Sequence, residues 1–496
     1  MSVNFHTPGL TKKIVLGFTL ILFCLGLGFF LNNDFWQDEI YTIEHFIFVS
    51  WNTLLTDYHS TNNHIAFNAV VKFFAILFGT NAIGDALEKP YFLRVFPFLF
   101  TILSVVFFYR RSAKHYGKLF AKIGVSILCT SIVLIDFGVQ LRGYSFSIFL
   151  SIVQYFTFLE IIKYGKRNLL LLKLFLLTGL SLLCLPTNIY LVFTYLLFCA
   201  ILFLKPSISF LFLNKKFSRN STSIIAATIA IPTVFVLLYY KWLLQLQPEN
   251  LLITSFQQFK FENLIQALAI FFHFTDYRYY FFIFLVAWVV LFYKKFKSNF
   301  YSDLVLPAFF FFVPFLFFFI HGSIIIQRVF LCLLPFFVMI VTAAVVEMSE
   351  AIKIKNLVNY LLLANIFCLM ISFSILFTSS KQNNRLSIHK HDLRNHYYLV
   401  NFNARKATLL AKKLSGQEKL GLYVWDGYGQ TGIGYYLNRF KVPFEKYYDS
   451  VEYNKSTIIL TNEKRELENI LNRKRVVFQR LLNKEEQYNI YLLHTN

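Results

Sequence analysis

Residues 14–42 read IVLGFTLILFCLGLGFFLNNDFWQDEIYT: an uncharged apolar run closes at Leu31, and Asp34, Asp38 and Glu39 follow at once. As a helix, the run from Ile14 to Leu31 extends about 27 Å, close to the hydrocarbon thickness of a bilayer. Lys12 and Lys13 precede it, as in a signal peptide. It ends, however, in Asn32-Asn33-Asp34 with no small-residue cleavage site, so an uncleaved anchor is expected.

The rest of the chain extends this pattern. Of 496 residues, 57% are apolar and only 15% charged, with 62 Phe and 29 Tyr, and the mean hydropathy is +0.55. Three or four soluble domains would need more charge and could not hide so much apolar surface. The formal net charge of +22 does not mark a nucleic-acid binder, because long uncharged runs separate the basic residues. No nucleic acid is expected among the partners. All six cysteines (Cys24, Cys129, Cys184, Cys199, Cys332 and Cys368) fall inside apolar runs. They read as small core or lipid-facing residues rather than disulfides or metal thiolates.

Apolar runs predict eleven spans, near 14–31, 92–109, 119–137, 143–162, 169–186, 188–204, 222–240, 279–293, 303–320, 329–346 and 357–377. With the N-terminus inside, twenty Lys/Arg lie in the short inner segments and eight in the outer loops. That bias sets the N-terminus in the cytoplasm. An odd span count then puts the tail, with its own twenty Lys/Arg, outside the cell or inner membrane. The fold class expected is therefore a polytopic α-helical membrane protein. Residues 1–378 form the membrane domain and 379–496 a small extracytoplasmic α/β domain.

Two outer regions exceed mere connectors. In 32–91, Ile40, Ile43, Ile47, Trp51, Leu54 and Leu55 recur near helical spacing, as expected of an interfacial helix. Ile65 to Phe78 predicts a second helix too short to cross, with His64, Asn68 and Lys72 at four-residue spacing. In 241–278, Leu264–Phe274 is again too short to span. The tail alternates strand-like runs (Leu420–Trp425, Ser456–Leu460, Tyr488–Leu493) with a helical one (Glu463–Leu471).

Candidate chemistry gathers on the outer face. Spans 2, 4, 8 and 10 run inward, and each carries an arginine near its outer end: Arg94, Arg142, Arg278 and Arg328. Orientation disfavours cations there, and a cation at a helix N-terminus opposes the macrodipole by ~0.3–1 kcal/mol. A shared anionic partner, most simply a phosphate, would explain all four; singly, each could instead snorkel to a lipid headgroup. Asp38-Glu39 suits general-base work or cation coordination, although loops leaving a span commonly carry acids. His59-Ser60-Thr61-Asn62-Asn63-His64 lacks further ligands at metal-site spacing, so no metal site is assigned.

These residues carry a resemblance. Trp36-Gln37-Asp38-Glu39-Ile40-Tyr41-Thr42 follows the first span, and Asn63-His64-Ile65-Ala66-Phe67 opens a short amphipathic helix ending in Leu77-Phe78-Gly79. Arg94-Val95-Phe96-Pro97 begins span 2, Gln140-Leu141-Arg142-Gly143-Tyr144-Ser145 begins span 4, and Gln327-Arg328-Val329-Phe330 leads into a late span with Pro335. Their order and spacing resemble the GT-C superfamily of membrane glycosyltransferases. The branch most resembled contains protein O-mannosyltransferases, the lipid A aminoarabinose transferase and related bacterial sugar transferases. Coverage is good over 14–165, thinner to 346 and general thereafter. Where relatives often have His-Pro-Pro-Leu, this chain has His64-Ile65-Ala66-Phe67.

The resemblance implies inverting transfer of a sugar from a polyprenyl-phosphate donor to a lipid, protein or polysaccharide acceptor on the outer face. Asp38 would be the base, with Glu39 orienting or tuning it. Arg142 and Arg328 would meet the donor phosphate, joined by His64, Gln140 and Tyr144, and Arg94 is a further substrate-binding candidate. Relatives differ in using a divalent metal. A lipid-linked oligosaccharide flippase or other transporter is the main rival, although the span interiors hold almost no ionisable residues. A glycan polymerase or ligase would share the donor chemistry. A sugar-binding sensor would need Trp425-Asp426-Gly427-Tyr428 as a stacking site rather than a turn.

Overall fold

The computed structural model describes residues 8–31, 34–58, 63–77, 90–208, 218–246, 298–321, 327–352, five positions between 363 and 370, and, in the tail, 404–415, 420–423, 433–446, 458–461, 464–482 and 489–494, a few single positions and the run 483–488 apart. The expected span at 279–293, most of that at 357–377, most of 241–278 with Leu264–Phe274, His59–Asn62 and Trp425–Tyr428 lie outside the described residues.

The described chain is mostly helical. Its helices are α1 (Pro8–Leu31), α2 (Gln37–Thr42), α3 (Trp51–Thr56), α4 (Ile65–Leu77), α5 (Pro90–His115), α6 (Lys118–Cys129), α7 (Ile132–Phe137), α8 (Tyr144–Tyr164), α9 (Asn168–Cys184), α10 (Ile189–Leu204), α11 (Arg219–Leu246), α12 (Ser298–His321), α13 (Leu334–Ile352), α14 (Ala404–Ser415) and α15 (Lys464–Arg473). Among the described residues, five stretches are long and apolar enough to cross a membrane: Pro90–His115, Tyr144–Tyr164, Pro186–Leu204, Arg219–Gln245 and Phe330–Glu347. Shorter apolar helices lie at Leu16–Gly28, Ile65–Leu77, Asn168–Cys184 and Val305–Phe317. This is a multi-pass membrane protein.

The sequence predicted one continuous span at 119–137, and here the structure differs. The helix stops at Thr130-Ser131 and restarts as α7. The Thr130 hydroxyl donates back to the Ile127 carbonyl at 2.8 Å. Ser131 turns extended and accepts from the Leu134 N–H at 3.3 Å. Two hydroxyl side chains thus offer the backbone an alternative to a straight helix. The single interfacial helix expected around 40–55 is also divided, into α2, a π-helical turn at Ile43–Ile47, and α3 capped by Ser50.

Two compact units are formed. The first comprises Met1–Leu27, Ser50–Val71 and Phe96–Ser372. At its centre lie α8 and the helix of Phe330–Glu347, buried over 94% and 89% of their apolar windows, against 33–44% for the other three long stretches. Their packing is aromatic. The Tyr155, Phe158, Tyr195, Phe310 and Phe336 rings meet at centroid separations of 4.4–5.7 Å, each pair contributing about 0.5–1.5 kcal/mol beyond area burial. The peripheral helices turn Leu99, Leu103, Leu172 and Phe235 outward, as suits a lipid-facing surface. Gly117 and Gly165, at φ +95° and +91°, supply the left-handed turns before α6 and after α8.

The second unit comprises Gly28–Val49, Lys72–Val95 and Phe373–Asn496. Its sheet has strands β1 (Leu420–Tyr423), β2 (Phe444–Lys446), β3 (Ile458–Thr461), β4 (Val477–Arg480) and β5 (Asn489–His494), in the order β2-β1-β3-β5-β4. β2, β1 and β3 are parallel, and β5 runs antiparallel to both β3 and β4. Leu467, Ile470 and Leu471 recur on one face of α15 and pack with Ile459, Tyr491 and Leu493. Such burial stabilises by about 1.5–3 kcal/mol per large apolar side chain. On α14, Ala404, Ala407, Thr408 and Ala411 are buried at helical spacing, and the helix packs on β3 and β5.

Candidate active site

In the second unit, the segment carrying Asp38 is fastened at three places. Glu39 and Arg94 are both wholly buried. Arg94 Nε donates to Glu39 Oε1 at 2.9 Å and Nη2 to Oε2 at 2.6 Å. The rest of the guanidinium donates to the carbonyls of Phe30 at 3.1 Å, Leu31 at 3.5 Å and Asp34 at 2.9 Å. Arg94 therefore ties the end of α1, the Asp34 turn and α2 into one frame. This fork geometry is one that lysine could not reproduce.

Asp34 is the second fastening. Its carboxylate accepts the backbone N–H groups of Arg405 and Lys406 at 2.8 and 3.1 Å, and the Arg405 Nε at 2.9 Å. It thus caps the first turn of α14 from 371 residues away in sequence. Beside it, the Phe35 N–H donates to the Tyr436 hydroxyl at 3.2 Å. Burial pushes the Asp34 carboxyl above the ordinary carboxylate range, outweighing the Arg405 guanidinium. The third fastening is Lys72, whose ammonium donates to the carbonyls of Ile47, at 3.0 Å, and Val49. A cation at the C-terminal end of a helical stretch also suits its dipole. Between these points Asp38 lies in the first turn of α2, 8% exposed, and its carbonyl accepts the Thr42 hydroxyl at 2.8 Å.

A separate cluster forms in the first unit, at the start of α8. His64 Nδ1 donates to the Cys184 carbonyl at 3.1 Å, which fixes the proton on Nδ1. The His64 ring meets Tyr144 edge-on at 5.5 Å, and the Arg142 guanidinium lies 5.8 Å from the same Tyr144 ring. Gln140, Arg142 and Tyr144 are all buried, in a tight turn where the Arg142 N–H donates to the Gln140 carbonyl at 2.7 Å. Gly143 permits this approach: a Cβ there would stand 3.1 Å from the His64 Cβ and Cγ and from the Cys184 sulfur. Asn188 donates to the Ser147 hydroxyl at 2.9 Å, joining the Pro186–Asn188 turn to the first turn of α8. A small pocket adjoins that turn, lined by Thr187, Tyr190, Leu191, Pro314, Phe330, Cys332 and Leu333.

The expected residues thus fall into two groups: Asp38, Glu39 and Arg94 in one unit, and His64, Gln140, Arg142 and Tyr144 in the other. Arg328 belongs to the 3-10 turn Gln327–Leu333, which packs against α8. Arg94 and Arg142 do not snorkel, since both are buried in protein. Arg94, a substrate-binding candidate in the sequence reading, turns donors to Glu39 and to three carbonyls. Arg405, Tyr436 and the bridging role of Asp34 were missed, because nothing local in the sequence marks a contact across hundreds of residues. Among the described residues, no group of three or more His, Cys, Asp or Glu could hold a metal ion.

With the geometry in place, comparison with solved structures is informative. ArnT from Cupriavidus metallidurans matches in its apo state at TM-score 0.55 and 10% identity, over 96% of this chain and 97% of that one. The chain shares the fold of this ArnT. The same ArnT bound to undecaprenyl phosphate matches at TM-score 0.52 and 10% identity, over 97% of each chain. A more distant match is the Archaeoglobus fulgidus oligosaccharyltransferase in complex with Zn and sulfate, at TM-score 0.40 and 12% identity, over 95% of this chain and 72% of that one. No family model and no curated protein sequence matches the chain. At this identity the likeness to ArnT establishes how the chain is folded, and the chemistry follows from its residues.

Proposed function

We propose that the protein is an integral membrane glycosyltransferase that moves a sugar from a polyprenyl-phosphate donor to an acceptor, with inversion. The observation that carries this reading is the three-point fastening of the Asp38 segment within a GT-C fold. A carboxylate held in place by a buried arginine fork, a helix cap and a lysine is the preorganised base that such a transfer needs.

Asp38 takes the proton of the acceptor hydroxyl or amine as that atom bonds to the anomeric carbon. The bond from anomeric carbon to phosphate oxygen breaks, and polyprenyl phosphate leaves with the bonding pair. Negative charge grows on the leaving phosphate, and Arg142 and Arg328 are assigned to stabilise it. His64, Gln140 and Tyr144 shape the Arg142 surroundings, and Tyr144 stands within cation–π range of its guanidinium. Glu39 and Arg94 form the frame rather than the phosphate site. ArnT with undecaprenyl phosphate bound supports a lipid-linked donor. Such a donor arrives in the membrane and needs no nucleotide-binding loop.

On this reading residues 1–378 hold the catalytic machinery and 379–496 form an accessory domain. The site faces away from the cytoplasm, following the charge bias of the short loops. The test is an analysis of lipid-linked sugars in a strain lacking the protein. Accumulation of a lipid-monophosphate sugar is expected; a trapped diphosphate-linked oligosaccharide would favour a flippase or polymerase and overturn the assignment.

A further inference from the structure

A hydroxyl buried inside a helix has a hydrogen-bond partner within reach, the carbonyl one turn back. The Ser104 hydroxyl donates to the Phe100 carbonyl and the Thr157 hydroxyl to the Val153 carbonyl, each at 2.7 Å. Ser112, Ser126 and Ser181 lack a side-chain bond among the described residues. Each still has a helical turn behind it, and such a carbonyl within one rotation.

Ser145 differs from all of these. It is the second residue of α8, and residues 138–143 before it form turns and bends instead of helix. No helical carbonyl therefore lies behind its hydroxyl. Ser145 is 0% exposed, and its Oγ has no partner among the described residues. Gln140, 3% exposed in the turn that leads into α8, has no partner for its Oε1 either. Desolvating such groups without a hydrogen bond is costly, and a native fold keeps few of them.

The helix start itself has donors to offer. α8 is 21 residues long, and its N-cap is Gly143, which has no side chain to cap the first turn. The Ser147 N–H donates to the Gly143 carbonyl at 2.8 Å and begins the helical ladder. The N–H groups ahead of it have no carbonyl of their own helix to meet. Such a start carries about half an elementary positive charge and suits a phosphate. A hydroxyl donates to a phosphate oxygen, and a carboxamide turns its N–H groups to one.

We propose that the start of α8 is the phosphate seat of the lipid-linked donor, with Ser145 as one of its ligands. The Ser145 hydroxyl and the first-turn N–H groups donate to the phosphate oxygens, and the Gln140 carboxamide donates from the turn. This rests on the donor proposed above and adds a set of neutral donors to the arginines assigned there.

The test is native mass spectrometry of the full chain in detergent, titrated with undecaprenyl phosphate or with undecaprenol, which lacks the phosphate. The wild-type protein should prefer the phosphate. Ser145→Ala should weaken undecaprenyl phosphate about tenfold and leave undecaprenol unchanged. It should also melt at or above the wild-type temperature, because it removes a hydroxyl with no protein partner. Gln140→Glu places a carboxylate in the turn and should weaken undecaprenyl phosphate on the order of a hundredfold, further than Gln140→Leu does. A wild-type preference for the phosphate that Ser145→Ala keeps in full would overturn this seat and leave the donor reading standing. A Ser145→Ala protein that melts well below wild type would do the same, by giving the hydroxyl a structural task. Wild-type protein that binds both lipids alike would overturn the donor reading itself. Displacement of undecaprenyl phosphate by millimolar inorganic phosphate would mark a free-anion site and overturn the proposal.

Discussion

Arg94 closes on Glu39 through two parallel hydrogen bonds, at 2.9 and 2.6 Å, with both side chains wholly buried. The pair adjoins Asp38, and the same guanidinium reaches carbonyls at the end of α1 and at Asp34. Two neighbouring carboxylates therefore have different tasks. Glu39 is part of the frame, and Asp38 is the group the frame holds.

Removing one partner of such a pair leaves an uncompensated buried charge. Arg94→Ala should lower unfolding free energy by about 3–5 kcal/mol, and Arg94→Lys should recover only part of it. Thermal unfolding of the detergent-purified variants measures this. The double variant Arg94→Ala/Glu39→Ala should be less destabilised than the sum of the single ones, and simple additivity would show that the two side chains act independently.

How far this frame was legible in the sequence differs residue by residue. Asp38 and Glu39 stood out because they follow an apolar run, and Arg94 because it sits where orientation disfavours a cation. Their pairing was not visible, since a buried fork of this kind leaves no periodic signal. The long apolar helices were readable from hydropathy, whereas the break at Thr130-Ser131 depends on two hydroxyls inside a run whose hydropathy reads as one span. In the tail, the strand-like runs Leu420–Trp425 and Ser456–Leu460 pointed to strands, but strand order and the clasp between Asp34 and Arg405 are set by contacts distant in sequence.

Asp34 gives a pH signature. Because its carboxyl lies above the ordinary range when folded, the folded protein holds that proton more tightly than the unfolded chain does. Its contribution to stability is therefore fullest below the ordinary carboxylate pKa and is lost as pH rises through the folded value. Asp34→Asn does not titrate. The melting-temperature difference, variant minus wild type, should increase with pH across that window, and a flat difference would mean that Asp34 ionises alike in both states.

Gly143 is a steric requirement of the second cluster. Gly143→Ala places a methyl 3.1 Å from the His64 ring carbon and the Cys184 sulfur. Destabilisation of about 1–3 kcal/mol is expected, as for other overpacked sites. A variant that melts like wild type would show that the start of α8 can shift freely.

The role of Asp38 is tested most directly by the transfer reaction itself. Membranes containing wild-type protein, supplied with a labelled polyprenyl-phosphate sugar and cell-envelope acceptors, should release free polyprenyl phosphate as the sugar is transferred. Asp38→Asn, expressed and inserted to the same level, should slow that release by about 10²–10⁴-fold. Release at the wild-type rate from the Asp38→Asn protein would contradict the account.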